Sequence, residues 1–176
     1  MEVLDVVAVL GGLAVVAYAF LDAFDTLLAT NIRAIRWSLT SGYYRVAWKG
    51  YRAVCVRIGS DRRRERALAL FGPASFLGLL LLWTSLSIIG WGVVWWGLRD
   101  SFAAAPDGLG GCLYYSGVVY FSIGFGDFLP GSGVTQTLSI LEALDGLGTL
   151  GMVIGFLPAL SSAYQPASAG CSSSTT

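Results

Sequence analysis

Three apolar stretches, residues 3–28, 67–98 and 134–164, are each long enough to cross a bilayer, which takes about 20 mostly apolar residues. That property sets aside soluble folds. Composition agrees: 55% of residues are hydrophobic, 12% are charged, and the mean hydropathy is +0.68, more apolar than an ordinary soluble domain. The first stretch opens with Glu2 and Asp5 instead of a basic segment and has no clear small-residue cleavage site, so it is read as a retained helix and not a leader.

The formal net charge is zero, but the charges are segregated. Ten of the eleven Lys and Arg residues fall between Ile32 and Arg66, opposed there only by Asp61 and Glu65. A basic loop between spans stays on the cytoplasmic side. This places the N-terminus outside, residues 99–132 outside and the C-terminus inside. The organisation is then a transmembrane helix at 1–29, a basic cytoplasmic or interfacial linker at 30–66, a pore domain at 67–165 and a disordered Ser/Thr/Ala/Gly-rich tail at 166–176.

Within the linker, residues 43–58 interleave Tyr44, Val46, Trp48, Tyr51 and Val54 with Arg45, Lys49 and Arg52. This pattern suits a helix lying on a membrane surface against anionic lipid. The membrane flanks account for the basic stretch without nucleic acid. Arg62, Arg63 and Arg64 are expected to anchor the start of the next crossing, with Pro73 tolerated if the helix begins near it. Asp22 and Asp25, near the inner end of the first helix, are expected to pair with Arg33 or Arg36. The cysteines Cys55, Cys112 and Cys171 are far apart and imply no disulfide framework.

Between the second and third crossings the chain is too short to span. Asp107 with Gly108, Gly110 and Gly111 reads as an outer turret, and residues 112–121 as a short re-entrant helix. After it comes Ser122-Ile123-Gly124-Phe125-Gly126-Asp127. Potassium filters use the loop Thr-Val-Gly-Tyr-Gly, whose backbone carbonyls replace the ion's hydration shell, and residues 122–126 match it with one conservative change at each of three positions. Gly124 and Gly126 supply backbone angles that other residues resist. Ile123 and Phe125 are expected to point outward onto the pore helices, Ser122 to keep a hydroxyl at the inner mouth, and Tyr114, Tyr115 and Asp127 to support the loop. The C-terminal end of the re-entrant helix directs partial negative charge at the pore centre, favouring a cation. A plain turn is the bland alternative, and the flanking apolar runs argue against it.

In the third crossing Gly146 is the candidate gating hinge. Gly151 and Gly155 have the small-xxx-small spacing of close helix packing. Glu142 and Asp145 either ring an aqueous cavity with negative charge or hydrogen-bond behind the filter, a choice the sequence leaves open.

Over residues 71–165 the chain resembles the pore module of the potassium channel superfamily, in the two-helix-plus-pore-loop form of small bacterial channels. The motif carrying the resemblance runs from Ser122 to Asp127, with Gly146 at the family's hinge position; Val119 and Phe121 depart from the threonines often found ahead of the filter. The resemblance implies an all-α integral membrane fold of outer helix, re-entrant pore helix, filter and inner helix, here preceded by one additional transmembrane helix. It further implies a homotetramer in a bacterial plasma membrane, with K+ held at Ser122, Ile123, Gly124 and Phe125 as permeant ion and no cofactor. Rapid inactivation is a secondary expectation from the Ser-x-Gly-Phe-Gly variant. A weakly selective cation channel and a non-conducting membrane subunit or scaffold are the alternatives. No arginine pattern of a voltage sensor lies within an apolar span, and the tail holds no regulatory domain. With no histidine and no nucleophile beside a base, an enzyme is not indicated.

Overall fold

The computed structural model describes residues 2–27, 39–56 and 61–163. These form five helices and one two-stranded sheet: α1 (Val3–Leu27), α2 (Leu39–Val56), α3 (Asp61–Gly97), β1 (Phe102–Ala104), α4 (Gly108–Tyr120), β2 (Leu129–Pro130) and α5 (Gly133–Ala163). Three segments qualify as membrane spans by length and composition: Val3–Thr26, Ala74–Gly97 and Gly133–Gly155. Helix α3 starts at Asp61, within the stretch read as linker, and runs through Pro73. The Arg, Glu, Ala and Leu residues of its first turns are good helix formers, and a proline removes only one N–H from so long a helix. The arginines Arg33 and Arg36 and the tail at 166–176 lie outside the described residues.

Helices α1 and α3 pack antiparallel through small residues. A Cβ on Gly12 would lie 2.5 Å from the Gly90 carbonyl oxygen, and one on Gly97 would lie 2.7 Å from the Asp5 carbonyl oxygen. Missing side chains let the two backbones approach closely, the usual device of membrane helix pairs. Acidic residues fasten both ends of α1. At the N-terminal end Asp5 pairs with Arg99 at 3.6 Å, and the guanidinium lies 5.3 Å over the Trp96 ring. At the C-terminal end the buried Asp22 accepts from Trp83 Nε1 at 2.9 Å and from Thr40 Oγ1 at 2.7 Å. The described partners of Asp22 are a tryptophan and a threonine; Arg33 and Arg36, the partners the sequence suggests, lie outside the described residues.

Helix α2 is docked by its first turns. Thr40 reaches Asp22, and Tyr43 sits so close to Gly78 that a Cβ there would meet its hydroxyl. Tyr43 and Tyr44 join Ala23, Phe76, Leu79, Leu80 and Trp83 in a cluster that Met152 and Val153 of α5 also touch. A second cluster, toward the C-terminal end of α3, gathers Val16, Trp91, Val94, Trp95, Leu98, Cys112 and Tyr115.

The expected glycine turret is instead the first turn of α4, which begins at Gly108 and ends at Tyr120. Gly111 abuts Pro106, and Leu113 of α4 fills the space beside Gly92 of α3. Strands β1 and β2 pair antiparallel, Phe102 opposite Pro130 and Ala104 opposite Leu129, and Gly131 N donates to the Ser101 carbonyl at 3.0 Å.

Candidate functional site

The end of α4 determines the shape of the loop that follows. Ser122 N donates to the Val119 carbonyl at 2.8 Å and Ile123 N to the Val118 carbonyl at 2.9 Å. This is the paired Schellman ending of a helix, whose C′ residue adopts the left-handed conformation and is usually glycine. Here that residue is Ser122, with φ +55°. Gly124 at φ +61° and Gly126 at φ +79° continue the pattern, while Ile123 and Phe125 keep negative φ. Alternating the sign of φ turns successive peptide planes so that their carbonyls share one side, where a strand would alternate them. Among the described residues, no main-chain hydrogen bond outside helices and strands ends on a carbonyl of residues 122–126. Those oxygens are left available as a row of acceptors.

The loop is uncovered within the single chain. Ile123 is 52% exposed and Phe125 67%, so both side chains are largely open in the single chain. Tyr114 meets Phe128 edge-on with centroids 6.1 Å apart. Tyr115 instead turns into the core, its hydroxyl 2.9 Å from Ser139 Oγ and its ring edge-on to Trp95, Phe102 and Phe128. One tyrosine thus packs on the residue after Asp127 and the other joins α4 to α5.

Gly146 faces the end of α4, where a Cβ would collide with the Tyr120 carbonyl. The helix α5 is continuous through it, and the glycine permits close contact with the end of α4. Gly151 and Gly155, expected to pack, meet nothing within the chain. Both carboxylates of α5 point to α3: Glu142, 0% exposed, accepts from Trp95 Nε1 at 2.7 Å and contacts Ser116 Oγ, and Asp145 accepts from Trp91 Nε1 at 3.3 Å. For Glu142 this is the hydrogen-bonding alternative, and its burial rules out a place on a cavity wall. Trp91, Trp95, Ser116 and Tyr120 carry the site's framework without a sequence signal of their own. Tyr120 is buried, its hydroxyl 2.7 Å from Thr149 Oγ1. A cavity of about 160 Å³ opens beneath the loop between Thr84, Tyr120, Ser122, Gly146 and Val153.

Residues 78–160 match a family model described as an ion channel. The uncharacterized membrane protein YdjJ of Bacillus subtilis (strain 168) is 29% identical over 122 residues, which cover 67% of this chain and 34% of YdjJ. The chain thus spans about a third of the length of that relative. No solved structure matches.

Proposed function

We propose, from the match of residues 78–160 to a family model described as an ion channel, that the chain conducts K+ passively through a homotetrameric pore whose filter is residues 122–126. The observation that carries this reading is the alternation of φ sign over Ser122, Gly124 and Gly126 directly after a short helix ends. A row of unpaired carbonyls is what replaces a potassium ion's water.

Tetramerisation is supported by exposure. Irregular backbone at membrane depth is tolerated only where protein encloses it or water fills the space, and one chain leaves Phe121, Ile123 and Phe125 open. The α5 span is 11% buried within the chain, against 44% for the α3 span, so the inner helix has faces left for an axis and for neighbouring copies. In the same reading α2 lies on the cytoplasmic membrane surface against anionic lipid. Arg45, Lys49 and Arg52 are exposed on it beside Val46, and its sequence holds no acidic residue.

The test is the reversal potential of purified protein in liposomes under opposed K+ and Na+ gradients. Reversal near the potassium equilibrium value, with current abolished by Gly124→Asp, is the expected result. Reversal near zero would replace the proposal with a weakly selective cation pore. Absence of current at every voltage and lipid composition would favour a non-conducting subunit.

A further inference from the structure

We propose that Glu142 carries its carboxyl proton and donates it to Ser116, making Glu142 the residue that positions the pore helix α4 between α3 and α5. The argument starts from a count of protons. Ser116 Oγ lies 3.0 Å from the Ile88 carbonyl oxygen and 2.5 Å from Glu142 Oε1. A hydroxyl has one proton to give, and a carbonyl can only accept. An ionised Glu142 could also only accept, so two acceptors would compete for one hydrogen. With the proton on Glu142 the chain closes: Trp95 N–H donates to Oε2, the Glu142 O–H donates to Ser116 Oγ, and the Ser116 O–H donates to Ile88. Each group is then matched and no charge is buried.

The surroundings agree. Glu142 is 0% exposed, in the middle of an apolar span. An isolated carboxylate there is among the costliest groups to bury. From α3 it faces the indole of Trp95, from α4 Ser116 and Tyr115, and on its own helix Asp145. None of these supplies a positive charge, and Asp145 brings a second acid. The nearest described guanidinium by sequence, Arg99, pairs with Asp5 and Asp100. As a neutral acid Glu142 joins three helices through directional bonds at Ser116, one turn before α4 ends and the loop begins.

The functional consequence rests on the pore-helix reading of α4, whereas the decisive test is spectroscopic and does not need conduction. Infrared difference spectra of wild-type protein and Glu142→Gln in lipid should contain a carboxylic-acid C=O band, lowered in D2O and lost in the variant. Trp95→Phe, which removes the donor to Oε2, should shift that band to higher frequency. Glu142→Gln, whose amide can donate to Ser116 and accept from Trp95, should retain cation flux, and Glu142→Asp, too short to reach both partners, should lose it. A wild-type spectrum with no such band, or a band indifferent to both substitutions, would overturn the assignment. If Glu142→Gln fails to fold, the Trp95→Phe shift alone decides.

Discussion

The carbonyl oxygen of Tyr120, the last residue of the pore helix, occupies the space that a Cβ on Gly146 would need. The inner helix therefore carries its glycine opposite the point where the pore helix becomes the loop. Tyr120 also reaches Thr149 through its hydroxyl, so one residue contacts α5 through both backbone and side chain.

Gly146→Ala separates contact from bending. If Gly146 were only a flexible point, alanine would stabilise α5 by about 1 kcal/mol through helix propensity. Contact with a backbone atom that cannot rotate away predicts the opposite sign, a loss of about 1–3 kcal/mol from overpacking. The unfolding midpoint in detergent reads that sign, and reduced cation flux should accompany the loss.

Ser122 holds a conformation that costs a residue with a Cβ about 1–2 kcal/mol. Ser122→Gly should raise the unfolding midpoint, equivalent to about 1 kcal/mol. Ser122→Val, β-branched at positive φ, should lower it. Flux through the glycine variant then measures what the hydroxyl contributes, apart from backbone shape.

The Asp22 carboxylate takes one donor from α3 and one from α2. Trp83→Phe and Thr40→Val should each cost about 1–3 kcal/mol by leaving a buried acceptor short of a partner. Because both serve the same oxygen, the double variant should depart from additivity by more than the about 0.5 kcal/mol seen for independent sites. Chemical unfolding of the four proteins gives the coupling.

For α2, replacing Arg45, Lys49 and Arg52 with Gln should weaken binding to anionic vesicles by about 1 kcal/mol per charge, roughly fivefold each. Binding to neutral vesicles should not change. Co-sedimentation of the purified protein in nanodiscs with labelled vesicles distinguishes the two, and added salt should reduce only the first.

What the sequence made legible was whatever depends on composition and short-range pattern. Apolar length marks three crossings, and Gly124 with Gly126 marks the loop, because no other residue type takes those angles so readily. The partners of the acids were hidden for a geometric reason. Asp22 and Trp83 are 61 positions apart, and Glu142 and Trp95 are 47 apart. Their contact depends on the register of antiparallel helices, which no local signal carries. Gly108, Gly110 and Gly111 misled in the other direction, since glycine speaks for a loop in a sequence and here all three lie in the first turn of a helix. The left-handed Ser122 was likewise out of reach, since serine seldom takes the C′ place of a helix ending.

The short pairing of β1 with β2 has a mechanical consequence. Before the loop, α4 is fastened to α3 by Ser116 and Leu113; after it, β2 is fastened through β1 to the end of the same helix. The loop is thus a strap with both buckles on one post. When the inner helix shifts, the distance between the buckles stays fixed, so the strap can twist or slacken but cannot be pulled long.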